Sequence, residues 1–489
     1  MSVIGTSIRE VAERYPERIA IETWREQISY KEFYQSTQLL QRKLTFLFPK
    51  GKGKKIGYLL PNEPKWIKLF IAISSMGGIA IPFDPKWSPL QLSEVIKDAE
   101  PDLVVYDQAF AHQFEGINTV KTFTLEALEL LSPTGEVVSD FSGQDPFYIG
   151  YTSGTTGQPK GFIRSHASWA DCFSLGRQVF SLTEEDKILC PGPLVHSHFL
   201  YAAMQCLHIG STLHLCSSFS ADEVWELLHT RSITVMYMVP TMFEALTRIR
   251  GSKVSNHLTT LISSGAKWRG HSKEKVSAVF PHASVYEFYG ASELSFVSFR
   301  KVNDDTLPEG SLGKPFPSVE ISILSDSGQP VPQGEVGTLF VKSPWVFNGY
   351  VNRPEETAKV FHGDWATVND LAFVNEEGHI ILKGRKQNMI ISGGLNIYPE
   401  EVEQVIQRHS AIQEAAVLGV EDEYWGQKVV AFVTLAEGRK LVMDEVNAYI
   451  AKVLPKYKCP KEWIQLQKFP YTGSGKIARK KLQIPKRSS

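Results

Sequence analysis

Ile56-Gly-Tyr-Leu-Leu60 is a short apolar run with the length and composition of a β-strand, and Glu63 to Ser75 follows with helical periodicity. Ile79 to Phe83 reads as a second strand, Pro89 to Asp98 as a second helix and Leu103 to Tyr106 as a third strand. Strand, helix, strand, helix, strand is the signature of parallel βαβ units, which hold ligands at the carboxyl ends of their strands. Outward from this stretch the pattern resumes at Ser232 to Val239 and Thr259 to Ile262, so the sequence predicts an α/β fold. Between Gly310 and Val341 the texture changes to short alternating strands, Val319 to Leu324 and Gly337 to Val341, separated by Gly and Pro turns. That texture predicts a small antiparallel β subdomain.

From Lys383 onward a compact α+β segment is expected. Glu400 to Arg408 and Asp444 to Val453 read as helices, Ala415 to Val420 and Val429 to Leu435 as strands. A polar, basic stretch at Gly384 to Asn388 separates this segment from what precedes it. The predicted organisation is therefore a large N-terminal domain of stacked βαβ-type sheets plus the β subdomain, residues 1–385, and a C-terminal α+β domain, residues 386–489. A chain of 489 residues is in any case too long for one hydrophobic core.

Composition narrows the function classes. Lys plus Arg (52) nearly balance Asp plus Glu (53), so no general field draws the chain to nucleic acid or to an anionic membrane. Anionic ligands must be held by local sites. The five cysteines, Cys172, Cys190, Cys206, Cys216 and Cys459, form no CxxC pair and fit a reducing compartment. The most apolar run, Leu69 to Phe83, is shorter than the ~20 residues of a membrane span and contains Gly77 and Gly78. It reads as a buried helix turning into a strand. With no signal-peptide pattern at Arg9 to Arg14, the expected setting is cytoplasmic.

The strongest local signal is Tyr151-Thr-Ser-Gly-Thr-Thr-Gly-Gln-Pro-Lys-Gly161, directly after the apolar strand Phe147 to Gly150. Hydroxyls among glycines, followed by a lysine, make a loop that can wrap an oligophosphate with backbone N–H groups, hydroxyls and a cation. It does not fit the Walker A spacing, and neither does Gly473 to Lys476.

This loop resembles the core motif of the adenylate-forming superfamily of acyl-CoA synthetases, peptide-synthetase adenylation domains and luciferase-like enzymes. The resemblance spans nearly the whole chain in order. It runs from Leu60-Pro-Asn-Glu63 through Tyr289-Gly-Ala-Ser-Glu293, Gly384-Arg385 and Ser392-Gly-Gly394 to Gly473-Ser-Gly-Lys476, and is closest to fatty-acyl-CoA ligases. It implies an ATP site formed by Thr152, Ser153, Gly154, Thr155, Thr156, Gly157, Lys160, Gly265, Ala266, Tyr289, Gly290, Ser292, Asp370 and Arg385. Tyr289 would stack near the adenine, Ser292 would meet the α-phosphate region, and Glu293 would coordinate Mg²⁺, an ion that prefers carboxylate and phosphate oxygens. Asp370 and Arg385 would reach the ribose, although Val368-Asn-Asp370 replaces the usual Thr-Gly-Asp.

Lys476 matches the lysine that enters for adenylation. A cation there offsets the repulsion between a carboxylate and an α-phosphate in the transition state. The basic residues that follow it, Arg479, Lys480, Lys481, Lys486 and Arg487, have the composition of a solvated tail. His196 matches a position between the carboxylate and thiol channels, and Gly393 and Gly394 match the loop along which a pantetheine arm passes. The hinge position is Gln387, where relatives more often carry Asp or Lys. The resemblance further implies that the C-terminal domain rotates between half-reactions, with Lys476 serving the first and the Gly393-Gly394 loop the second.

The implied activity is an AMP-forming acid–thiol ligase that uses ATP, Mg²⁺ and CoA, as monomer or homodimer. Val195 to Ala203 holds no acidic residue to pair with an α-amino group, which disfavours amino-acid substrates. Met236, Met238 and Met242 suit an adaptable apolar tunnel for a medium- or long-chain fatty acid, and Gly265-Ala-Lys267 resembles aryl-acid-activating relatives. The alternative to a CoA ligase is an acyl- or aryl-AMP ligase that loads an acyl-carrier protein.

Overall fold

The computed structural model describes residues 3–133, 140–153, 159–249, 254–265, 268, 270–302, 304, 307–308, 310–392, 395–422, 424–472 and 476–483. Two compact units emerge. The first comprises Met1–Asp305, Phe316–Val319 and Lys342–Ala366, and the second Thr306–Pro315, Glu320–Val341 and Thr367–Ser489.

The first unit is α/β, as the sequence predicts. The opening stretch folds into the strands Lys55–Leu59, Ile79–Pro82 and Leu103–Tyr106 with helices Pro64–Ser75 and Pro89–Ala99 between them. Lys55–Leu59 pairs in parallel with both other strands. Proline at the first turn starts both helices, where its missing N–H leaves no broken bond. Ser88 caps the second through a reciprocal bond with Gln91. These strands belong to a seven-stranded sheet ordered Gly349–Tyr350, Pro159–Ser165, Pro146–Ser153, Ile79–Pro82, Lys55–Leu59, Leu103–Tyr106 and Thr122–Thr124.

A second sheet runs through Ser295–Lys301, Ser284–Ala291, Thr260–Ser263, Val235–Met238, Lys187–Cys190, Thr212–Leu215, Ile19–Glu22 and Gln27–Ser29. Helix packing joins the two sheets. Trp169, on helix His166–Val179, lies 5.3 Å from Tyr148 of the first sheet and 5.5 Å from Tyr201 of helix Ser197–Ile209. Gln205 of that second helix accepts a 2.6 Å hydrogen bond from Tyr237 of the second sheet. Ser197–Ile209 is apolar nearly all round because it is covered on all sides, and Phe199 to Cys206 are all buried. The run Leu69 to Phe83 is likewise core, and among the described residues no helix is long and apolar enough to cross a membrane.

The second unit holds the predicted antiparallel strands. Glu320–Leu324, Gly337–Lys342, Asp370–Val374 and Ile380–Arg385 lie side by side in that order. A further sheet runs Leu395–Ile397, Ile390–Ser392, Gly426–Leu435 and Ile412–Asp422, with Glu462–Gln465 parallel to Gly426–Leu435. Helices Pro399–Gln407 and Met443–Ala451 contribute Val402, Val405, Ile406, Val446 and Ile450 to one core with Val417, Val429, Ala431 and Val433. The five cysteines are free thiols.

Candidate functional site

In the first unit, Pro146–Ser153 and Pro159–Ser165 form an antiparallel pair in which Thr152 faces Lys160 and Ser153 faces Pro159. Gly154, Thr155, Thr156 and Gly157, which fall between these strands in sequence, lie outside the described residues. Lys160 is mostly buried and forms an ion pair with Glu356, while its Nζ sits 5.9 Å from the centre of the Tyr350 ring. Arg353 bonds Asp98 at 2.7 Å, and Asp98 also accepts 2.8 Å from the Tyr151 hydroxyl. Burial and the Asp98 charge push the Tyr151 phenol far above its ordinary range.

Tyr289 and Gly290 end the strand Ser284–Ala291, with a bulge between them. A Cβ on Gly290 would meet the Ser295 carbonyl oxygen at 2.1 Å, so only glycine lets the two backbones approach this closely. Glu293 lies in the turn that follows. Its carbonyl accepts 2.8 Å from the Phe347 N–H, and its Oε1 accepts 2.7 Å from the Tyr350 hydroxyl.

Arg164 fixes this turn, and sequence reasoning missed it. It is 1% exposed and donates to the carbonyls of Ser292 (3.2 Å), Trp345 (2.7 Å) and Ser168 (3.4 Å) and to the Ser295 hydroxyl. Burial pulls its guanidinium down to about 10, opposed by nearby groups including Glu293, so it stays charged at neutral pH. A charged residue inside the strand pattern Phe162-Ile-Arg-Ser165 was the available signal.

His196 precedes helix Ser197–Ile209 in extended conformation and is half-buried. Its turn is held by Asn62, whose Oδ1 accepts 2.8 Å from the Leu194 N–H and whose amide donates to the carbonyls of Cys216 (2.8 Å) and Gly192 (3.4 Å). Leu60-Pro-Asn-Glu63 was legible as a motif, but this role for Asn62 was not. His198, two residues on, bonds the Met238 carbonyl at 3.2 Å, and burial holds its imidazole down at about 4, hence neutral. Gly265 is exposed with φ +87°, next to Ser264, whose hydroxyl donates 3.0 Å to the Phe288 carbonyl. Ala266 lies outside the described residues.

In the second unit, Asp370 and Arg385 face each other across paired strands, Nε to Oδ1 3.2 Å. Asp370 is buried and Arg385 exposed. Asn369 adopts φ +61°, a left-handed conformation that asparagine tolerates better than most residues. Its N–H donates 3.0 Å to Thr367 Oγ1 and its carbonyl accepts 2.9 Å from the Lys386 N–H. Gln387 is exposed in the single 3-10 turn Lys386–Asn388.

Lys476 is exposed, and its carbonyl accepts 2.7 Å from the Thr472 N–H. Gly393 and Gly394, between the paired strands Ile390–Ser392 and Leu395–Ile397, lie outside the described residues. The tail is not simply solvated: Arg479 forms a forked pair with Glu403 at 2.5 and 2.7 Å and also donates 3.0 Å to the Val417 carbonyl.

Among the described residues no three His, Cys, Asp or Glu side chains are grouped to hold a metal by themselves. A lone carboxylate such as Glu293 fits Mg²⁺ where phosphate oxygens and water supply the other ligands. The structure therefore gathers Thr152, Lys160, Ser292 and Glu293 around Arg164 and Tyr350 in one unit, and Asp370 with Arg385 in the other.

The AMP-binding enzyme family model matches residues 8–351, and the AMP-binding enzyme C-terminal domain model matches residues 401–476. An uncharacterized acyl-CoA ligase of Bacillus subtilis is 39% identical over 96% of both chains. A putative long-chain fatty acid–CoA ligase of Staphylococcus epidermidis is 28% identical over 99% of this chain and 98% of its own. The solved o-succinylbenzoate coenzyme A synthetase of Bacillus subtilis, in complex with ATP and magnesium ion, superposes with a TM-score of 0.88 at 27% identity, over 97% of this chain and 98% of that one. These matches and the geometry above agree, and the chain belongs to the AMP-binding enzyme family, the adenylate-forming superfamily.

Proposed function

We propose that the chain is an AMP-forming acid–CoA ligase. A carboxylate attacks the α-phosphate of ATP, pyrophosphate leaves, and the acyl-adenylate then gives its acyl group to the thiol of CoA with release of AMP. The observation that carries this reading is Tyr350, whose ring meets the Lys160 ammonium of the strand Pro159–Ser165 and whose hydroxyl meets the Glu293 carboxylate of the turn after Ser284–Ala291, so that a cation and a carboxylate suited to phosphate and metal share one side chain. Mg²⁺ supplies charge neutralisation on the phosphates when bound, and Glu293 is the carboxylate we assign to it. Thr152 to Gly157 and Lys160 hold the phosphates; Tyr289, Gly290, Gly265 and Ala266 line the adenine; Asp370 and Arg385 take the ribose hydroxyls. Lys476 serves adenylation and Gly393-Gly394 thioester formation, in alternation about Gln387, with His196 orienting the acid.

We assign the acid to the medium- and long-chain fatty class. Met236, Met238 and Met242 are all buried, and His198 beside Met238 is held neutral, so this wall is apolar and adaptable. The Staphylococcus relative named for long-chain fatty acid supports the same choice. The likeness to the o-succinylbenzoate enzyme favours a second reading, an aryl acid. A panel of acids from acetate to palmitate plus benzoates, each assayed for ATP-dependent pyrophosphate release, separates them. The fatty reading predicts the highest kcat/KM between about eight and sixteen carbons, by the additive burial of methylenes. A benzoate-type optimum overturns it.

A further inference from the structure

The segment Trp345–Val351 is bonded to both halves of the phosphate-binding apparatus. The Asn348 N–H donates 2.8 Å to the Ile163 carbonyl and the Val351 N–H 2.8 Å to the Gly161 carbonyl, which ties the segment to the strand that carries Lys160. On its other side the Phe347 N–H holds the Glu293 backbone. Tyr350 stands at the crossing point. Its ring lies under the Lys160 ammonium, its hydroxyl donates to Glu293 Oε1, and its own N–H is fixed by Thr357 Oγ1 at 2.9 Å. Phe347 packs edge-on against the ring at 4.9 Å and limits its movement.

We propose that Tyr350 is a positioning residue for Mg²⁺ binding: its hydroxyl holds the Glu293 carboxylate in the orientation that receives the ion, and its ring keeps Lys160 beside the same phosphates. The inference rests on the assignment of Glu293 to the metal and Lys160 to phosphate given above. A carboxylate has two oxygens, and a donor fixed to one of them would leave the other to receive the ion. Partners that orient a ligand in this way commonly matter to affinity nearly as much as the ligand itself.

The test is equilibrium ATP binding by calorimetry across a Mg²⁺ titration, on the full chain, for the parent, Tyr350→Phe, Glu293→Gln and the double variant. Phenylalanine keeps the ring, so ATP affinity without Mg²⁺ should stay within about twofold of the parent, which also shows that the variant is folded. The half-saturating Mg²⁺ concentration should rise on the order of 10-fold in Tyr350→Phe. The double variant should match Glu293→Gln alone, since the hydroxyl acts only through that carboxylate. If Glu293→Gln shifts the titration and Tyr350→Phe does not, or if the two shifts add, the positioning role is overturned while the metal assignment stands. If Glu293→Gln itself leaves the titration unmoved, the metal assignment falls and the positioning role falls with it.

Discussion

Arg385 and Asp370 are direct cross-strand partners: they occupy one register position of the pair Asp370–Val374 and Ile380–Arg385, and Nε meets Oδ1 at 3.2 Å. The carboxylate is buried and the guanidinium exposed, so the pair stands at the boundary between core and solvent. The left-handed residue just before Asp370 sets where the strand begins.

Asn369 therefore gives the first prediction. Asn369→Gly should be close to neutral, because glycine reaches φ +61° without strain. Asn369→Val should cost about 1–2 kcal/mol in urea unfolding and raise KM for ATP several-fold, because a β-branched residue resists that conformation. Equal behaviour of the two variants would remove the backbone explanation.

Arg164 gives the second. Arg164→Lys keeps the charge but cannot reach several carbonyls at once, so it leaves buried acceptors unsatisfied. The expected loss is about 2–4 kcal/mol of stability, with weaker ATP binding because the Ser292–Glu293 turn loosens. Parent-like ATP affinity in a folded variant would show that the turn holds its shape without the fork.

The third concerns the tail. Glu403 is 8% exposed, so removing Arg479 strands a buried carboxylate. Arg479→Ala should cost about 3–5 kcal/mol, whereas the pair Arg479→Met with Glu403→Met should recover most of that loss. Urea unfolding followed by far-UV circular dichroism would register the difference.

Much of the architecture was legible before any coordinates. Pro89 to Asp98 has a capping box and an amphipathic period, and Leu103 to Tyr106 is an unbroken β-branched and apolar run, so both elements follow from local chemistry. The candidate site was legible where it sits in motifs, as at Lys160, Glu293 and Asp370. Arg164, Asn62 and Tyr350 were not, because their meaning lies in partners 128, 132 and 57 residues away. Arg479 misled for the opposite reason. A run of basic residues looks solvated until a buried carboxylate is found opposite one of them.

A fourth prediction follows from four buried imidazoles. Burial holds His166 at about 3 and His198, His208 and His214 at about 4, against an ordinary 6.5. Their folded values are depressed, so their contribution to stability is complete above about pH 6.5 and is lost as pH falls toward 4. By pH 4.5 the loss is on the order of 2–3 kcal/mol per ring. The melting temperature should decline steadily from pH 7 to pH 4.5. A flat profile down to pH 4.5 would mean these rings charge without cost.

The most direct measurement follows ATP labelled at the α-phosphate, incubated with Mg²⁺, CoA and the panel of acids. Labelled AMP should appear only when an acid is present, equal in amount to pyrophosphate, and Lys476→Ala should abolish it while still converting supplied acyl-adenylate and CoA to thioester. Release of ADP in place of AMP, or no nucleotide turnover with any acid, would contradict the assignment.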